Sequence, residues 1–248
     1  MSGGMYLAAA GALVQQLRLE VLANNVANIN TSGFKGEQAV FQIPEENADQ
    51  VIETPLEGVH SLSPYAPPFG TVTDFSQGAL QRTGNPLDLA LNGKGFFSIQ
   101  TPSGVQYTRQ GSFTIDAEGV LVTQDGYPVM GEGGTLSLEE GTVDIDEEGV
   151  ISVDDGEVGR LQIIEFFDPQ VLQKTENGRF VPVGDGPAGR RPETVLVSQG
   201  FLEASNVNPV RAMTEMIETS RMFEAYQKVI NTADEATAQS INEVGTTA

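Results

Sequence analysis

The chain has 248 residues, 34 acidic against 13 basic, for a net charge of −21, with no cysteine and no tryptophan. Such an acidic surface excludes nucleic acid and anionic lipid as partners, because phosphate recognition relies on lysine and arginine. The absence of cysteine excludes disulfide scaffolds and thiolate metal sites, and suits a chain that enters an oxidising compartment. Only 39% of residues are hydrophobic and 28 are glycine, which predicts a modest core with many turns.

The first 28 residues predict a helix. Leu7, Ala10, Val14, Leu17, Val21, Asn24 and Asn28 follow 3,4 spacing, a heptad seam. A second stripe, Leu19, Leu22 and Val26, lies on a different face. Ala8, Ala9, Ala10 and Ala12 favour helix, whereas Gly11 costs about 1 kcal/mol. The apolar run from Met5 to Val14 has the length of a signal-peptide core. However, no lysine or arginine precedes it, no clear cleavage site follows, and it is too short to span a bilayer. The expectation is an uncleaved helical N-terminus without membrane insertion.

That helix runs into ANNVANINTSGFK, residues 23–35, which carries Asn24, Asn25, Asn28 and Asn30. Asparagine is a mediocre helix former and costly to bury without partners. Capping accounts for one asparagine near the helix end, with Gly33 supplying a left-handed residue to the turn. It does not account for Asn24 and Asn28, which continue the seam. An asparagine at a seam position costs stability but fixes register and partner choice. The segment therefore predicts a docking surface of defined register.

Residues 29–75 predict an extended connector, with Pro44, Pro55, Pro64, Pro67 and Pro68 and one strand near GTVTDF. From 76 to 207 the texture is β: short alternating runs such as FFSIQT, SFTIDA and VLVSQGFLEA. Asp-Ala-Glu-Gly, Asp-Gly and Asp-Glu-Glu-Gly turns punctuate them. This spacing predicts a mostly-β central domain, sandwich or barrel-like. Residues 208–248 return to helix. Asn208 is a good N-cap and Pro209 stands at the first helical position. The seam reads Ala212, Met216, Thr219, Phe223, Tyr226, Ile230, Ala233 and Thr237. The overall class is therefore α+β, with residues 1–28 and 208–248 pairing as a coiled coil.

Among chemical candidates, DIDEEGVISVDD comes nearest to a metal loop. Asp144, Asp146, Glu148 and Asp155 occupy calcium-loop positions, but the flanks are strands and aspartate stands where the bidentate glutamate belongs. An acidic hairpin turn is the plainer reading. His60 is the only histidine and lies in the connector; there is no Gly-x-Ser-x-Gly elbow. Gly93 and Gly95 lack the spacing of a phosphate loop. Carboxylates abound, yet nothing in the sequence converges on a catalytic pair, so neither catalysis nor a cofactor is expected. A calcium-binding β protein and a carbohydrate-acting enzyme are the competing classes.

LANNVANINTSGFK resembles the N-terminal signature of the flagellar basal-body rod and hook family of axial proteins. TDFSQGALQRTGNPLDLALNGKGFFSIQ, YTRQGSFTIDAEGVLVTQDGYPVMG and SQGFLEASNVNPVRAMTEMIETSRMFEAYQKVI extend the resemblance to most of the chain; SPYAPPFG matches no family pattern. TGNPLDLAL and GRLQIIEFFDPQVLQK resemble the proximal-rod member most, with the distal-rod member second. The resemblance implies a non-enzymatic structural subunit of the rod that transmits motor torque. Its partners would be copies of itself, other rod and hook proteins, and the flagellar type III export apparatus. It also implies export without a cleaved signal, assembly in the periplasm, and terminal helices lining a tube. The assembly residues would be Leu7, Val14, Leu17, Val21, Asn24, Asn25, Asn28, Met216, Phe223, Tyr226 and Ile230. Neighbouring subunits would cover Leu19, Leu22 and Val26 on one side and Met213, Ile217 and Met222 on another, leaving the ends of a lone chain frayed.

Overall fold

The computed structural model describes residues 2–41, 69–138, 141–154, 156–183, 189–192 and 194–246. His60 and the five prolines of the expected connector lie outside them. The described residues fall into two compact units.

The helical unit draws on Met1–Ala27, Glu37–Val72 and Asn208–Ala248. Helix α1 spans Ser2–Ala27, and helix α2 spans Pro209–Thr246. Helix α2 begins as its sequence dictates: Pro209 leads, and the Asn208 carboxamide oxygen accepts from the Arg211 N–H at 3.1 Å. Four threonines within it satisfy themselves by donating to the carbonyl four residues back. Thr219, buried in the helix pair, donates to the Glu215 carbonyl at 2.7 Å, which removes the penalty of a polar seam residue.

The helices pack against each other, and Gly11 lies at their contact. A β-carbon there would run into the Tyr226 ring. Gly11 lies a similar distance from the end of α1 as Tyr226 does from the start of α2, and Ala212 in the first turn of α2 is buried. A parallel pair in that register would leave Ala212 beyond the start of α1, so the helices run antiparallel. Strand Glu37–Phe41 packs on α1 and pairs with strand Phe69–Thr73, at the position read as GTVTDF in the sequence.

The β unit comprises Asn28–Gly36 and Thr73–Val207. Segment 29–75, read from sequence as one connector, is therefore shared: its start belongs to the β unit and its first strand to the helices. The largest sheet is antiparallel and orders Ile163–Ile164, Phe96–Thr101, Gly104–Thr108, Arg179–Pro182 and Leu172–Lys174. A three-stranded sheet joins Val143–Ile145, Val150–Val153 and Gly156–Arg160. Two-stranded ribbons supply the rest, including Leu89–Asn92 with Leu196–Gln199 and Leu80–Arg82 with Phe201–Glu203. Among the described residues these sheets form no closed barrel. Strands this short, each ended by a turn, cannot carry the continuous ladder that closure requires.

The turns repeat one device. Asp116 and Asp146 each use one carboxylate oxygen to accept the N–H groups two and four residues ahead, and Gly119 and Gly149 follow at φ +80°. Two apolar clusters stabilise the unit. The larger includes Leu89, Leu91, Phe97, Ile99, Phe113, Leu121, Val129 and Ile151; Phe97 meets Phe113 edge to face at 5.1 Å. The smaller is aromatic: Phe96, Phe166 and Phe180, with Phe75 and Tyr107 against them.

Candidate assembly surfaces and a buried ion-pair cluster

The face that α1 turns inward is not the seam expected from sequence. Ala8, Ala12 and Leu22 are buried on the side that carries Gly11, and Leu19 is half-buried there; of the expected seam, Leu7 is 68% exposed while Ala10, Val14, Leu17 and Val21 are half-buried. At about 100° per residue, the run Leu7, Val14, Leu17, Val21 and Asn24 lies about 130° around the helix from that buried face. Leu19 and Leu22, expected to await a neighbour, are thus covered within the chain. The reason is size. Ala8, Gly11 and Ala12 let the backbones approach closely enough to seat Tyr226, which the bulkier leucine and valine seam would prevent.

On α2 the expected face does turn inward. Ala212 and Thr219 are buried, and Met216, Phe223, Tyr226 and Ile230 are half-buried along it. Val210, Met213 and Ile217 are exposed about 130° away, the last two at 50% and 56%. Met222 and Val229 are exposed on a third side. The pair therefore carries apolar side chains outward from both helices.

The asparagines divide their work. Asn25 is buried, and its amide binds both backbone polar groups of Glu37: Nδ2–H donates to the carbonyl at 2.7 Å, and Oδ1 accepts from the N–H at 2.9 Å. It ties α1 to the first residue of strand Glu37–Phe41. Asn28 stands at the turn after α1, accepting from the Thr31 N–H through its carbonyl and from the Thr31 hydroxyl through Oδ1, both at 3.2 Å. Asn24 is exposed.

In the β unit, a cluster of charge stands where sequence showed only a turn. Lys35 is 1% exposed, and its ammonium lies 2.6 Å from Glu203 Oε1. Arg109 Nη1 stands 3.3 Å from Glu203 Oε2. The Glu203 side chain is fully buried, and Oε1 also accepts the Gly78 N–H at 2.8 Å. Lys35 donates further to the Ser76 carbonyl, and Arg109 to the carbonyl of Gly93. Burial pushes the Lys35 ammonium below its ordinary value, against the opposing pull of Glu203. Arg109 is lowered for the same reason, again opposed by Glu203. Two cations on one carboxylate, every partner on a different segment, tie those segments together. Among the described residues this ion-pair group is part of no cluster that could hold a metal ion.

The calcium-loop spacing folds as a hairpin. Asp144 pairs with Ser152 across strands Val143–Ile145 and Val150–Val153, and Asp146 spends its carboxylate on the turn amides of Glu148 and Val150. Asp155 lies outside the described residues. Among the described residues no three carboxylates or imidazoles gather where a metal ion could bind. Alternation along a strand sends Asp144 and Asp146 outward beside each other, not toward a shared centre.

Three family models match the chain: the flagella basal body rod protein model over residues 5–35, the flagellar hook protein FlgE/F/G D1 domain over 90–153, and the flagellar basal body rod FlgEFG protein C-terminal domain over 198–243. The chain is 32% identical to a flagellar basal-body rod protein FlgG of Buchnera aphidicola, with 95% of this chain and 97% of the relative aligned. The chain belongs to the flagellar basal-body rod protein family. It is also 32% identical to a FlgF rod protein of Caulobacter vibrioides over 99% of both chains, and 33% identical to the FlgG rod protein of Bacillus subtilis. Near-equal identity to FlgF and FlgG places it among rod proteins without choosing between the two.

As a rod-family chain it is a structural subunit of the flagellar basal body, and other axial proteins of that structure are its partners. No helix among the described residues is long and apolar enough to cross a membrane. The family matches cover α1, the segment carrying Lys35, and the stretch carrying Glu203 and α2. Sequence reasoning singled out GFK but passed over Glu203 altogether. The available signal was weak: a lysine between Phe34 and Gly36, directly after a helix, in a chain with few cations.

Proposed function

We propose that the chain polymerises through its terminal helices into the tubular drive shaft of the flagellum and carries torque along it. The observation that carries this reading is the pair of outward apolar faces, one on each helix. Exposed Leu7 leads one, with half-buried Val14, Leu17 and Val21 along the same side; exposed Val210, Met213 and Ile217 line the other, and α1 holds only two charged residues, Arg18 and Glu20. The two faces differ in composition, so copies join head to tail. Such a contact extends into a helical array instead of closing as a dimer. Asn24, Asn25 and Asn28, with Met216, Phe223, Tyr226 and Ile230, hold the geometry from which those faces are presented.

On this reading the chain acts in the periplasm, reaches it through the flagellar export apparatus without a cleaved signal, and is not an enzyme. TGNPLDLAL and GRLQIIEFFDPQVLQK support the proximal rod as its position. The experiment is deletion and recovery: cells lacking the chain stop swimming and build no complete rod. Purified basal bodies from complemented cells contain the chain with Met1 retained or removed alone. A motile deletion strain, or basal bodies without the chain, contradicts the proposal.

A further inference from the structure

Buried side chains usually belong to an apolar core, but the segment Ser32–Gly36 does not. Phe34 is 2% exposed and Lys35 1%, yet Phe34 is in neither apolar cluster of the β unit. Polar contacts hold the segment. The Gly33 N–H donates to the Glu203 carbonyl at 2.6 Å, and the Gly36 N–H to Asn206 Oδ1 at 2.8 Å. Asp74 N–H donates to the Gly36 carbonyl at 2.8 Å. Lys174 donates to the Lys35 carbonyl at 2.9 Å and stands 3.8 Å over the Phe34 ring. Lys35 adds its ion pair with Glu203 and its bond to Ser76. Gly33 is at φ +66°, and a β-carbon there would strike the backbone at Arg109 and Gln110, so the fit is close.

We propose that Ser32–Gly36 is a separable latch of the β unit, held in place by its ion pair with Glu203 and able to open by itself while both apolar clusters stand without it. Release returns Lys35 to water, and its recovered hydration offsets much of the lost ion pairing. Opening the latch therefore costs less than unfolding the unit. Lys35 and Glu203 are 168 residues apart in sequence, so the latch closes only once the last strand of the unit is in place. The device ties the segment that follows α1 to completion of the segment that precedes α2. It makes an incomplete chain structurally distinct from a complete one.

The test uses the full chain. Glu203→Gln keeps the shape and the acceptor for Gly78 but removes the charge between Lys35 and Arg109. Trypsin cleavage after Lys35 then rises about tenfold or more beyond any rise at the bonds after Arg160 and Arg179. Cleavage after Lys35 that stays unchanged, or that accelerates together with the other two bonds, overturns the proposal. Should E203Q fail to fold, native-state hydrogen exchange of the unaltered chain decides. The Gly33 and Gly36 amides exchange about tenfold or more faster than Phe97 and Ile99, with weak denaturant dependence. Exchange of all four at one rate and one denaturant slope overturns the latch.

Discussion

The side-chain amide of Asn25 occupies both backbone hydrogen-bonding groups of Glu37, at 2.7 and 2.9 Å. One side-chain amide matches the N–H and C=O of one residue only in a single register, so α1 and the strand that starts at Glu37 are fixed against each other. Asn25→Ala removes both hydrogen bonds to Glu37 and costs about 1–3 kcal/mol. Asn25→Asp keeps the acceptor, loses the donor, and faces a carbonyl with a carboxylate; it is at least as damaging. Thermal or denaturant unfolding of the three proteins checks the order.

Glu203→Leu strands two cations in a buried site. Removing one partner of such a cluster costs about 3–5 kcal/mol. Replacing all three charges, as Lys35→Met, Arg109→Met and Glu203→Leu together, recovers much of that loss, because no uncompensated charge remains. A lower denaturant midpoint in the single variant than in the triple one confirms the assignment; equal midpoints contradict it.

The lowered Lys35 value has a pH consequence. Between that value and 10.5, the unfolded chain holds a proton on Lys35 that the folded chain has released. A state that binds more protons when unfolded gains folded stability as pH rises, so this group adds an upward slope on the alkaline side. The slope is lost again above 10.5, and Lys35→Met removes it. Denaturant midpoints across an alkaline series, compared between the two proteins, measure it.

Gly11→Val places side-chain atoms where the Tyr226 ring lies. Overpacking of this kind costs about 1–3 kcal/mol. Tyr226→Ala in the same chain relieves the clash, so the double variant is less destabilised than the sum of the two single changes. Far-ultraviolet circular dichroism during thermal unfolding reads both.

The existence of both helices was legible from sequence because 3,4 spacing of apolar residues and the Asn208–Pro209 start are local features. The inward face of α2 was legible for the same reason: the 3,4 spacing of Ala212, Met216, Thr219, Phe223, Tyr226 and Ile230 runs longer than the rival stripe of Val210, Met213 and Ile217. Helix α1 carries two faces, and hydropathy favours the leucines and valines over Ala8, Gly11 and Ala12. The structure chooses the smaller residues because close approach seats Tyr226. The Asp–Gly turns of the β unit were equally local. Glu203 was not legible, since a buried ion pair between residues 168 apart leaves no periodic trace. Its Arg109 partner was hidden for the same reason.

Met213→Glu and Ile217→Glu alter residues at 50% and 56% exposure, outside the helix pair. Each shifts stability of the isolated chain by about 0.5 kcal/mol or less. Both abolish assembly, because a charge is set into the proposed apolar contact. Swimming assays together with unfolding of the purified variants separate the two effects.

The most direct measurement is a photo-reactive residue at Ile217, activated in living flagellated cells, with its attachment sites read by mass spectrometry of purified basal bodies. Attachment to the Leu7–Val21 face of a neighbouring rod-family chain is the predicted result. Basal bodies in which Ile217 attaches to nothing, or only within its own chain, would contradict a subunit that polymerises through its helices.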